Sequence, residues 1–184
     1  LADAKVTLLE GQARVVDAHT VEVGGRRLSA GHILIATGGT PSHPPIEGLE
    51  LAISSNELLD LTALPRRLVV LGAGYIAVEF AGIFAGFGSE VSLAYRADLP
   101  LRGFDDDIRS RLATAMADRG VALRPGFAPI KLERSANGFR CTAKDGQVIE
   151  ADVVLSALGR RPNTDGLGLA DVGVEVDAKS GAIR

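Results

Sequence analysis

Thiol chemistry is almost absent from these 184 residues: Cys141 is the one cysteine. A single thiol closes no intrachain disulfide, which excludes a disulfide-stapled secreted fold and makes a reducing cytoplasm the expected setting. Cationic excess is missing too. Lys and Arg number 20 against 23 Asp and Glu, a formal charge of −3. Such a surface lacks the basic bias of a nucleic-acid binder, so small-molecule chemistry or protein contacts are expected instead. The histidines, His19, His32 and His43, share no metal-like spacing, and no metal site is expected. No low-complexity tract or long-period repeat interrupts the chain. The opening LADAKVTLLEG has neither an initiator methionine nor a basic-then-apolar leader, so no signal peptide is expected and the chain reads as a cut from something longer.

What the chain has instead is apolar content, 46% of residues, enough for a substantial core. The densest stretch, LVVLGAGYIAVEFAGIFAGFG from Leu68 to Gly88, is long enough to suggest a membrane span. Glu79 near its middle and the early pair Gly72 and Gly74 argue against that, because they divide it into a buried strand and a deeply buried helix. Ile76, Phe80, Ile83, Phe84 and Phe87 recur at helical spacing and form the face expected to meet a sheet.

Short alternating runs at residues 6–10, 13–17, 20–23, 26–30 and 32–36 predict a small antiparallel meander, ending in the apolar run Ile33 to Ala36. It stops at TGGTPSHPPIEG, a loop that marks a domain boundary. Beyond the polar segment SSNELLDLTALP the pattern becomes strand, glycine turn, helix, strand, helix, strand. This predicts an α/β fold, a Rossmann-like βαβαβ unit with a parallel sheet. Its strands are expected at Arg67 to Leu71 and Glu90 to Tyr95. A helix is expected from Asp105 to Asp118, with Ile108, Leu112, Ala115 and Met116 on one face and Gly120 as its stop. VALRP, APIKLER, GFRCTAK and QVIEA then read as a strand and a second antiparallel meander before DVVLSAL.

Gly72, Gly74 and Ala77 form a G-x-G-x-x-A between strand and helix, the pattern that admits a dinucleotide pyrophosphate at a helix N-terminus. About twenty residues on, where such units place an acid for the ribose 2′-hydroxyl, the sequence reads Ala94-Tyr95-Arg96, with Arg102 following. As loop arginines the two could simply be solvated. Their place after this turn favours a 2′-phosphate held by two guanidiniums, and hence NADP. Asp98 between them has no evident role. Asp105, Asp106 and Asp107 could suggest a metal cluster but are better read as a helix cap.

Four segments, ATGGTPSHPPIEG, GAGYIAVEFAGIFAGFGSEV, YRADLPLRGFDDDIR and SALGRRPNTDGLGLADVGVEV, resemble the flavin-dependent pyridine-nucleotide disulfide oxidoreductases, in particular their glutathione reductase branch. The resemblance implies the central part of a longer subunit. Residues 1–38 and 161–184 would be pieces of a FAD-binding domain, and 39–160 an NADPH-binding domain. It implies FAD contacts at Thr37 and Gly38. NADPH contacts would come from Gly72, Gly74, Tyr75, Ile76, Ala77, Glu79, Arg96, Arg102 and Gly159. Tyr75 would lie over the flavin until the nicotinamide arrives, and Glu79 would contact the nicotinamide and pair with a lysine near the redox disulfide.

The implied chemistry passes hydride from NADPH to FAD and on to a Cys-x-x-x-x-Cys disulfide that reduces glutathione disulfide. Those cysteines, and the partner subunit of the implied homodimer, lie outside residues 1–184, so these residues alone are expected to be inactive. The same arginine segment resembles trypanothione reductase, and a non-catalytic nucleotide-binding module is the alternative of another class. Cys141, without a cysteine partner, is expected to be a structural thiol.

Overall fold

The computed structural model describes every residue from Leu1 to Arg184. These divide into two compact units, Leu1–Thr40 with Arg160–Arg184, and Pro41–Gly159.

In the first unit, β1 (Ala13–Asp17), β2 (Thr20–Val23) and β3 (Arg26–Ser29) form an antiparallel meander. Val23 pairs with Arg26 across Gly24 and Gly25, whose φ values of 56° and 76° give the left-handed two-residue turn that matches strand twist. A short strand, β4 (Gly39–Pro41), completes the outgoing chain. The meander is smaller than the sequence suggests, for neither residues 6–10 nor 32–36 join a ladder. Leu8 and Leu34 are 65% and 89% exposed. An apolar run becomes a strand only where a neighbour offers main-chain partners, and here none does.

The first α-helix of the second unit is a short one, α1 (Ser55–Leu59), in the polar segment after the loop. Its signal was the S-x-x-E of Ser54 and Glu57, which form a reciprocal capping box. Next come β5 (Arg67–Leu71), α2 (Tyr75–Gly86), β6 (Glu90–Ala94), α3 (Asp106–Asp118) and β7 (Ala122–Arg124). An antiparallel meander of β8 (Pro129–Ser135), β9 (Gly138–Ala143) and β10 (Val148–Ala151) leads into β11 (Val153–Ser156). The parallel sheet has the order β11-β5-β6-β7.

Both faces of that sheet are covered, which is why β5 is apolar at consecutive positions. Leu68 and Val70 join the core that includes Ala77, Ala81 and Phe84 of α2 and Met116 of α3. Val69 and Leu71 join the opposite core, with Phe127, Leu132 and Cys141. β12 (Arg160–Pro162) then pairs with β4, and Val15 donates its backbone N–H to Leu167 at 2.8 Å, returning the chain end to the first meander.

Two helix faces differ from expectation. α2 is not buried all round: it turns Ala77, Ala81 and Phe84 to the sheet and leaves Ile83 47% exposed, with Phe87 at its C-cap 70% exposed. Apolar residues occupy both sides of α2, so periodicity cannot choose between them. On α3 the inward positions are Arg109, Leu112, Ala113 and Met116, whereas Ile108 and Ala115 are exposed. No helix is long and apolar enough to cross a membrane, and the glycine turn divides the Leu68 to Gly88 stretch into β5 and α2.

Candidate functional site

The carboxyl end of a parallel sheet is where an open α/β fold leaves a crevice for ligands. Here β5 is followed by Gly72, whose φ is 119° and whose N–H donates to the Ala94 carbonyl at 2.9 Å. A Cβ on Gly72 would lie 2.3 Å from the Ala157 carbonyl oxygen, so only glycine fits between β5 and the chain leaving β11. Gly74 differs in kind. Its φ is ordinary at −76°, and a Cβ there would meet nothing within 4 Å. That open space lies at the N-cap of α2, where no side chain caps the helix and no acid occupies the first turn. The N–H groups of Tyr75, Ile76 and Ala77 lack intrahelical acceptors, which suits an anionic group. Ala77 is fully buried and packs the helix onto the sheet.

The loop after β6 lies beside this turn. Tyr95 is 4% exposed and packs in the helix-side core, so the position where a ribose acid is usual offers no carboxylate and turns its ring inward. Burial pushes its hydroxyl pKa up, and the charge of Asp98 adds to the effect. Arg96, Asp98 and Arg102 are exposed. None of the three enters an ion pair, so neither guanidinium is held by Asp98. Leu101 has φ 53° and donates its N–H to the Ala73 carbonyl at 2.7 Å, tying the loop to the glycine turn. Asp105 accepts from the N–H groups of Asp107 and Ile108, the cap read from the sequence.

Tyr75 and Glu79 are four residues apart on the open face of α2, and both are exposed. Glu79 has no cationic partner within these residues. Ile76 is half-buried. Gly159 has φ 129°, and its carbonyl accepts from Ser42 N–H at 2.9 Å just beyond the carboxyl end of β11. Thr37 and Gly38 belong to the first unit. There the Thr37 hydroxyl donates to the Asn163 carbonyl at 2.7 Å, and Asn163 N–H donates to the Gly38 carbonyl at 2.9 Å.

A family model described as pyridine nucleotide-disulphide oxidoreductase matches residues 1–184, the whole chain. The chain belongs to this family. Among curated relatives in these oxidoreductases, a glutathione reductase from Nostoc sp. is 44% identical over 96% of this chain and 39% of its own length. A mercuric reductase from Lysinibacillus sphaericus is 41% identical over 91% of this chain and 32% of its own length. Among solved structures, the HOCl-induced flavoprotein disulfide reductase RclA from Escherichia coli superposes with a TM-score of 0.91 at 33% identity, over 100% of this chain and 43% of that one. The chain thus spans about a third to two fifths of the length of the curated relatives described.

The supports of the arginine loop carry no signal in an apolar pattern. These are Leu101, Pro100, which is almost fully buried, and Arg109, whose guanidinium turns back onto the loop. The signal available was an arginine at an inward position of α3, which an apolar template skips.

Proposed function

We propose that this chain is the NADPH-binding portion, with flanking FAD-domain segments, of a flavoprotein that reduces glutathione disulfide. The carrying observation is the pair of unpaired arginines, Arg96 and Arg102, on a loop bonded to the glycine turn, with a buried tyrosine where an acid would repel a 2′-phosphate. Residues 39–160 hold the nucleotide. Gly72 shapes the turn, Gly74 leaves room for the pyrophosphate, and the N–H groups after it, including that of Ile76, meet its charge. Ala77 seats the helix, and Gly159 borders the nicotinamide end.

Residues 1–38 and 161–184 belong to the FAD-binding domain, with Thr37 and Gly38 beside the flavin. Tyr75 covers the nicotinamide site with a flat, amphipathic ring, and Glu79 contacts the nicotinamide and pairs with a lysine near the redox disulfide. Bound NADPH and FAD supply hydride and two-electron chemistry. Cys141 is not part of it: burial raises its pKa to about 11, the opposite of an activated thiol. The redox disulfide therefore comes from outside these residues, which alone are inactive. The whole protein acts as a cytoplasmic homodimer.

Similarity to a mercuric reductase and to an HOCl-induced disulfide reductase supports a second reading, the same NADPH site feeding a different acceptor. Steady-state reduction by the full-length protein separates the two. The proposal expects NADPH to exceed NADH in kcat/KM by about 100-fold or more, from two charge-assisted contacts, and glutathione disulfide to turn over. NADPH preference without glutathione turnover favours the second reading; equal use of NADH overturns both.

A further inference from the structure

Arg109 lies on α3, away from the glycine turn, yet its guanidinium is spent on the loop that carries Arg102. Nε donates to the Pro100 carbonyl at 2.8 Å, Nη2 to the Leu99 carbonyl at 3.0 Å, and Nη1 to Asp106 Oδ1 at 2.6 Å. The side chain is only 16% exposed. Those two carbonyls immediately precede Leu101, whose φ of 53° is a backbone conformation that non-glycine residues seldom hold. That conformation lets the Leu101 N–H reach the Ala73 carbonyl. Gly103, with φ 95°, and the Asp105 cap close the loop on its other side.

We propose that Arg109 is a positioning residue for cofactor discrimination. By clamping the Leu99 and Pro100 carbonyls it holds Leu101 against the glycine turn and fixes where Arg102 presents its guanidinium. Arg109 itself touches no cofactor. The planar fork suits this arrangement, because Nε and Nη2 serve the two consecutive carbonyls while Nη1 serves Asp106. A lysine offers a single nitrogen on a flexible stem. The inference rests on the reading that Arg102 meets a 2′-phosphate, and it extends the specificity determinants from the loop to the helix behind it.

The test is a coupling cycle in the full-length protein, reading kcat and KM for NADPH and NADH in wild type, Arg109→Met, Arg109→Lys, Arg102→Ala and the Arg102→Ala/Arg109→Met double variant. Arg109→Met is expected to cut the NADPH-to-NADH discrimination about tenfold. The loss should fall on the KM for NADPH rather than on kcat. Arg109→Lys recovers little, and the double variant discriminates no worse than Arg102→Ala alone. If Arg109→Met does not fold, Arg109→Lys carries the same comparison.

Unchanged discrimination, an equal loss for both nucleotides, or independent multiplication of the two effects overturns the inference while the NADPH reading stands. A wild type without NADPH preference, or an Arg102→Ala variant that keeps it in full, removes that reading and the inference with it.

Discussion

The backbone N–H of Leu101 donates to the carbonyl oxygen of Ala73 at 2.7 Å, joining the arginine loop to the middle residue of the glycine turn. One bond thereby ties the segment that would choose the nucleotide to the segment that would hold its pyrophosphate. The Leu101 amide should therefore be protected from hydrogen exchange while its exposed neighbours Arg102 and Gly103 are not. Exchange by NMR or mass spectrometry should find Leu101 slower by about 100-fold or more. Exchange at the Gly103 rate would mean that the loop is untethered.

The two glycines of the turn have different jobs, and alanine separates them. Gly72→Ala places a methyl 2.3 Å from the Ala157 carbonyl oxygen at φ 119°, and should destabilise the fold by about 3 kcal/mol or more. Gly74→Ala meets nothing within 4 Å and should stay within about 1 kcal/mol of wild type. On the proposed function it should nonetheless weaken nucleotide binding by about tenfold or more, because the methyl enters the open space where the proposal seats the pyrophosphate. Thermal melts and nucleotide titrations on the two variants check the split; matching profiles would refute it.

Asp152 accepts from Arg67 at 2.6 Å and 3.1 Å through Oδ1, and from the Arg67 backbone N–H at 2.9 Å through Oδ2. The Arg67 guanidinium, outweighing partial burial, holds the Asp152 pKa below its ordinary 3.8. A depressed carboxylate stabilises the folded state fully above its unfolded pKa and loses that contribution as pH falls through the folded value. Asp152→Asn should therefore melt lower than wild type at pH 7, with the gap closing only below about pH 3.8. A gap that closed between pH 7 and 5 would assign the effect to another group.

Cys141 is completely buried, and its pKa of about 11 leaves about one thiol in a thousand ionised at pH 8. Alkylation followed by peptide mapping should mark Cys141 slowly in the native protein and readily after unfolding. Fast native labelling at pH 8 would contradict its place in the meander-side core.

Much of this arrangement is readable from residue order, for reasons that differ by element. β5 and the turn at Gly72 announce themselves because a doubly covered strand must be apolar at consecutive positions and the turn must be glycine. Arg96 and Arg102 stand out by their place after the second strand rather than by composition. The open face of α2 is not readable, since Ile83 and Phe87 look as apolar as the buried Ala81 and Phe84. α3 is misjudged by one position because Arg109 takes an inward place that pattern reasoning reserves for an apolar side chain. Val6 to Glu10 and Ile33 to Ala36 look like strands, yet a ladder needs a partner that sequence alone does not supply. The roles given to Tyr75, Glu79, Thr37 and Gly38 rest on resemblance to the family, because exposure and spacing alone would fit many surface residues.

The central claim, that Arg96 and Arg102 select a 2′-phosphate, is tested most directly by titrating the full-length protein with 2′,5′-ADP and 5′-ADP, in wild type and in Arg96→Ala/Arg102→Ala. Wild type should favour 2′,5′-ADP, and the double variant should lose about 2 to 4 kcal/mol of that preference, at about 1.5 to 3 per charge-assisted contact with non-additivity. Equal wild-type affinity for the two nucleotides, or a double variant that keeps the preference, would contradict it.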